Sequence, residues 1–339
     1  MSHEMVKLSC AEISTLWTLY LNNSMSVYVL KYYLEYVEDP EIRKVIAEAY
    51  DIASDNEQEI KHVFWKEQYP LPIAFSENDL NLKAPRLFSD TFKLFYVLQM
   101  AKIGMVTYSG CLASISRKDI RSLYQTFLLK TVDVFQKVTD LLLEKGLYVK
   151  KPYTTIPSSA MMVESTNYFS GINPFVDKRT LNTIEVTHLS MNIETNQIGM
   201  MLSTAFSQSA MNEEVREYMV KVKSLAKNHI HTFIQTLTKD DVQGPMSSDF
   251  SITASTVPPF SDKLMMFHIG LMSAAGIGNY ATAAAASQRS DLVIKYEKLS
   301  SEAALLAKEG ADLMVKHRWM EKPPSTADRN RLAEKPQEL

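Results

Sequence analysis

Four side chains in the second half of the chain have the residue types and spacing of a divalent-metal site: Glu185, His188, His229 and Glu302. Imidazole nitrogens and carboxylate oxygens are ligands that iron, manganese and zinc share, and an ion needs several of them converging in one dry layer. Glu185-Val186-Thr187-His188 puts a carboxylate and an imidazole one helical turn apart. His188 falls in register with Ile184, Met191, Ile198 and Leu202, an apolar stripe expected to face inward. His229 shares a stripe with Tyr218, Val222, Leu225 and Phe233, whereas His231 lies about 200° round and faces out. The two histidines fall at similar heights on an antiparallel helix pair, and Glu302 is the acid at that height on the last helix. These four residues are the candidate ligands for one divalent cation, iron, manganese or zinc, and that site is the alternative rather than the leading expectation. The leading expectation is a hydrogen-bonded histidine pair in a bundle core, the commoner use of buried imidazoles, with no cofactor assured.

Other chemistry is weaker. Glu59-Ile60-Lys61-His62 matches the Glu-x-x-His pattern of di-metal bundles, but it shares the polar face of Glu48, Asp51 and Asp55 and so reads as solvated. His268 reads as a satisfied core or boundary histidine. Tyr108 and Tyr280 read as packing residues with a buried hydroxyl bond. Arg117 with Asp119, and Arg289 with Asp291, are expected to bridge a turn. No nucleophile elbow, glycine-rich phosphate loop or Cys-x-x-Cys is present, and Gly276-Ile277-Gly278 lacks a preceding strand.

The elements that must position these residues are duplicated. A shift of 172 places Phe88-Ser89-Asp90 on Phe260-Ser261-Asp262 and gives 11 identities in the 37 positions from Phe88 to Tyr124. Unrelated sequence would give roughly two, so the chain repeats itself. Apolar periodicity predicts helices over 9–37, 41–68, 92–113 and 119–146, and again over 180–209, 212–238, 262–286 and 291–319. Proline-rich crossovers separate the second and third helix of each set. Four helices joined short, long, short describe a ferritin-like bundle. Hence an all-α fold is expected, with two tandem ferritin-like four-helix bundles over residues 1–150 and 179–321, a linker over 151–178 and a loosely ordered tail over 322–339.

A length of 339 residues suits two such units, and a formal net charge of −3 offers no footprint for nucleic acid. Cys10 and Cys111 have no counterparts across the repeat, which argues against a disulfide framework. The 25 uncharged residues between Lys263 and Arg289 are long enough for a membrane, but Ala, Gly, Ser, His268 and Asn279 read instead as a buried helix. Met1-Ser2-His3-Glu4-Met5 shows no secretory pattern, so a cytoplasmic location is expected.

Leu16-Trp17-Thr18, Asn22-Asn23-Ser24-Met25, Leu30-Lys31-Tyr32, the run from Ala84 to Phe92, and Lys145-Gly146-Leu147-Tyr148 resemble the first half of the domain-of-unknown-function 3231 family. Glu185-Val186-Thr187-His188-Leu189, the run from Val257 to Met265, and Ala275-Gly276-Ile277-Gly278-Asn279-Tyr280 resemble its second half. The resemblance implies a tandem ferritin-like protein of spore-forming bacteria, similar to proteins labelled as candidate spore coat components, with no established enzyme activity. Its pattern places His-x-Glu in the middle of the second helix of each repeat. This chain has Asn56-Glu57-Gln58 and His229-Ile230-His231 there, which confines any site on that histidine to the second bundle. The functional expectation is a non-catalytic structural or interaction protein, spore-associated, engaging protein partners or itself, without nucleic acid or membrane. The alternative is a metal or small-ligand binder with one site in the second bundle.

Overall fold

The computed structural model describes residues 6–173, 175, 177–245 and 251–334. Residues 1–5, read above for a leader, and 335–339 of the expected tail lie outside them.

Every long helix of the first repeat recurs in the second. In the first, α1 (Cys10–Tyr36) and α2 (Pro40–Lys66) form one hairpin, and α3 (Asp90–Leu112) and α4 (Lys118–Glu144) form another. In the second, α5 (Thr183–Ser209) pairs with α6 (Glu213–Thr238), and α7 (Asp262–Ala286) with α8 (Ser290–Lys316). Each set of four packs as a bundle with one long crossover. A short α9 (Arg329–Ala333) follows. Sequence sets these starts locally. Ser9 with Glu12 and Asn182 with Glu185 form capping boxes, Asp39 caps α2 ahead of Pro40, and Ser89 and Ser261 accept from the N–H groups of Phe92 and Leu264. No helix among the described residues is long and apolar enough to cross a membrane, α7 included.

The two bundles close on each other about a pseudo-twofold axis. Leu80 bridges Phe260 and Phe88 bridges Ile252, two contacts that the 172-residue shift exchanges. The hydrogen bonds follow the same rule: Asn81 N–H donates to Pro259 O and Thr253 N–H to Leu87 O, while Ser89 N–H donates to Ser251 O and Ser261 N–H to Asp79 O. Each crossover therefore clasps the other bundle, an isologous interface within one chain. One apolar core runs through both halves, from Tyr33, Phe88 and Phe92 to Phe206, Phe260 and Met265. Separate clusters fill the far ends, around Tyr124 and Phe127 in one bundle and Phe233 and Tyr296 in the other.

Candidate functional site

Glu185 opens α5 as a capping residue, and that role consumes it. Its carboxylate accepts from the N–H groups of Asn182 (3.0 Å), Gln288 (3.2 Å) and Arg289 (2.9 Å), and from both Arg179 guanidinium nitrogens (2.8 Å each). Burial alone would raise its pKa; Arg179 and the backbone N–H groups outweigh that and hold it below the usual range. Glu12 does the same work in the first bundle, accepting from Ser9, Ser116 and Arg117 N–H. There the backbone and hydroxyl donors overcome burial and hold the carboxyl at about 2. Both acids thus pin the start of a first helix to the turn between the third and fourth. Arg117 and Arg289 bridge those turns as expected, each engaging Asp119 or Asp291, with Arg117 also on Glu67 and Arg289 on Asp240.

His188 does not point into the core with the stripe assigned to it. Ile184 and Met191 are 47% and 43% exposed, and the core side of the first turns of α5 is Glu185, Val186, Leu189 and Ile193. The reason is that α5 packs within its own bundle and against the other, so apolar residues occur around most of its circumference and cannot fix its phase. The His188 imidazole is half-buried, which lowers its pKa.

His229 and Glu302 do come together. His229 is 2% exposed, with Nε2 3.2 Å from Glu302 Oε2 and Nδ1 2.8 Å from the Tyr280 hydroxyl. The Glu302 carboxylate can only accept, so the neutral imidazole donates from Nε2 and accepts at Nδ1 from the Tyr280 O–H, while the Asn196 side chain meets the same hydroxyl with its amide N at 2.8 Å and its Oδ1 at 3.1 Å. Burial lowers the His229 pKa, with Glu302 opposing it. A cavity of about 70 Å³ adjoins the group, lined by Asn196, His229, Tyr280 and Ala303 among others.

The first bundle repeats this arrangement without the imidazole. Asn56 donates to the Tyr108 hydroxyl at 3.3 Å, and Tyr108 reaches Asn23 Oδ1 at 3.5 Å. Lys130, the counterpart of Glu302, pairs with Asp55 on the surface. Asn23 and Asn196 went unread as site residues in the sequence, although they correspond at an offset of 173, one more than the 172 that relates the two tyrosines. Glu59 and His62 are exposed, as their polar stripe implied.

Of the four expected ligands, then, only His229 and Glu302 meet. Among the described residues, no three His, Cys, Asp or Glu side chains are grouped to hold a metal ion. Glu12 and Glu185, the buried acids that open the first helix of each bundle, are engaged at helix caps.

The family described as "Protein of unknown function (DUF3231)" matches residues 1–159 and again residues 169–332. The chain belongs to this family. The two matches fall on the two bundles, so each bundle is one DUF3231 unit. A solved structure described as a "putative spore coat protein" from Bacillus halodurans C-125 is 19% identical over 46% of this chain and 100% of that one, with a TM-score of 0.41. So loose a likeness carries no argument about this DUF3231 protein. No curated protein matches it.

Proposed function

We propose that this DUF3231 protein is a non-catalytic structural or interaction protein, a pseudo-symmetric pair of bundles. The observation that supports this reading is the polar layer at mid-bundle. Where a ferritin-like bundle would converge carboxylates, Asn23, Tyr108 and Asn56 close on one another in the first bundle, and Asn196, Tyr280 and His229 do so in the second. Association with spores, and with protein partners there, belongs to the proposal and rests on the family resemblance alone.

A second reading is a single divalent cation, iron, manganese or zinc, at His229 and Glu302. Their 3.2 Å approach beside a cavity favours it. Elemental analysis of protein purified without chelator separates the two. The first reading expects no near-stoichiometric metal. A metal that survives dialysis and is lost in His229→Ala would overturn it in favour of the second.

A further inference from the structure

The pseudo-twofold axis generates the same inter-bundle crevice twice, and the chain has treated the two copies differently. In one copy Leu98 from α3 and Tyr148 after α4 face Ile198 of α5 across a residual space of only about 20 Å³. Phe135, Val138 and Leu142 of α4 pack into the core beside it. Lys102 and Lys151 both pair with Glu194 at this crevice. The other copy, between α1 and the helices α6, α7 and α8, is a cavity of about 350 Å³.

Its size traces to residues that lost their side chains. Under the 172-residue shift, Leu98 becomes Gly270, Phe135 becomes Ala307 and Thr139 becomes Ala311, and at the offset of 173 that relates the first two helices of each set Glu194 is matched by Leu21. One further change, Val138 to Gly310, is compensated: a Cβ on Gly310 would stand 2.3 Å from the Tyr218 hydroxyl, and Tyr218 replaces Val45 at the 173-residue offset of the first two helices. The change at Gly270 is not compensated, because a Cβ built there meets nothing within 4 Å. Close-packed interiors do not keep voids of this size without cost, and glycine in a helix interior adds a further one.

The walls are apolar, with Phe75, Met266, Phe267, Leu271, Met314 and Trp319, and exposed Gly270 and Met320 stand at the mouth. Two charged side chains line it, and they differ in what they have left to offer. Glu321 is occupied, accepting from Ile73 and Ala74 N–H at 2.7 Å each. Lys263 donates to Ala74 O and stands 4.9 Å from the Phe75 ring centroid, and no carboxylate is within ion-pair distance of it among the described residues. Its spare N–H groups suit an acceptor.

The geometry points to a binding site for an amphiphile of about a dozen non-hydrogen atoms in all, taking about the 30 Å³ of a liquid water for each, with an apolar chain in the cavity and a carboxylate head held by Lys263. A medium-chain fatty acid has this form. The site lies between the bundles, away from His229, and does not depend on the non-catalytic reading.

Isothermal titration of the full chain with decanoate, below its micelle threshold, is expected to show saturable one-to-one binding. Gly270→Leu with Ala307→Phe restores the first-repeat residues; it is expected to abolish binding while raising the melting temperature. Lys263→Met is expected to weaken decanoate at least tenfold and leave decan-1-ol unchanged. Failure of both probes to bind the wild type overturns the site, as does undiminished binding by the folded, filled variant. Equal weakening of both probes by Lys263→Met overturns the head assignment. Should the double variant not fold, Gly270→Leu alone carries the test.

Discussion

Tyr96 and His268 occupy the same position in the two repeats, and they meet: the tyrosine hydroxyl and the imidazole Nε2 share a hydrogen bond of 2.9 Å across the seam between the bundles. The pair marks the pseudo-twofold axis. Because one member is histidine, the seam also carries a proton-sensitive group. His268 is 1% exposed, and its Nδ1 has no partner among the described residues. It also lines the cavity of about 120 Å³ that reaches Asn56 in the first bundle.

The first prediction concerns acid. Burial holds the His268 pKa down at about 3, against about 6.5 in an unfolded chain. The unfolded chain therefore binds a proton that the folded one refuses, so stability is complete above pH 6.5 and is lost as the pH falls from there toward 3. Urea unfolding at pH 7 and pH 5 should show the wild type losing about 2 kcal/mol more than His268→Gln. Parallel pH profiles for the two proteins would contradict the assignment.

Much of this was legible in the sequence, and the two misplaced side chains have separate causes. The repeat and the capping residues gave eight long helices in the right places, because Ser89, Asp39 and Asn182 act locally on the backbone beside them. The polar helices α2 and α6 also announced their buried faces: Glu59 and His62 are exposed and His229 is buried, as their stripes required. Helix α5 did not, since apolar residues surround it, and so His188 was turned the wrong way. Glu185 was read as a ligand because its type suited one. Its place three residues after Asn182, a capping-box spacing, was the signal that outweighed that reading.

The second prediction follows from that cap. Glu185 is fully buried with five donors on its carboxylate, and removing it strands Arg179 and the N–H groups of Gln288 and Arg289. Glu185→Ala should cost about 3 kcal/mol in chemical denaturation. Glu12→Ala, which leaves no guanidinium behind, should cost about 2 kcal/mol. Neither change should alter the metal content of the protein. A Glu185→Ala variant of unchanged stability but altered metal content would restore the ligand reading.

A third prediction compares two helix ends. Gly146 closes α4 with φ 68°, and its counterpart Arg318 closes α8 with φ 59°. The hydrogen bonds are the same in both, Leu147 N–H to Leu142 O and Trp319 N–H to Met314 O. Only glycine occupies that left-handed conformation without strain, and Arg318 is exposed with no ion pair among the described residues to lose. Arg318→Gly should therefore stabilise the second bundle by about 1 kcal/mol, seen as a higher urea midpoint at unchanged slope.

The last prediction uses the repeat as its own control for a buried charge. Lys93 is fully buried at the start of α3, donating to Tyr36 O at 2.6 Å and to Asp90 at 3.0 Å. Burial drives its pKa down to about 8 against the opposing pull of Asp90. The second repeat has Met265 in that place, while Asp262 keeps the bonds to Met211 and Asn212 N–H that Asp90 makes to Glu38 and Asp39 N–H. Asp90 also retains Arg86 at 3.2 Å when Lys93 is gone. Lys93→Met should accordingly gain about 1 kcal/mol at pH 7. In the wild type the unfolded chain holds the proton that the folded state sheds from about pH 8, so its stability rises with pH up to about 10.5. The advantage of the methionine should shrink over that interval. A variant destabilised at pH 7 would mean that the bonds to Tyr36 and Asp90 outweigh the cost of burying the ammonium.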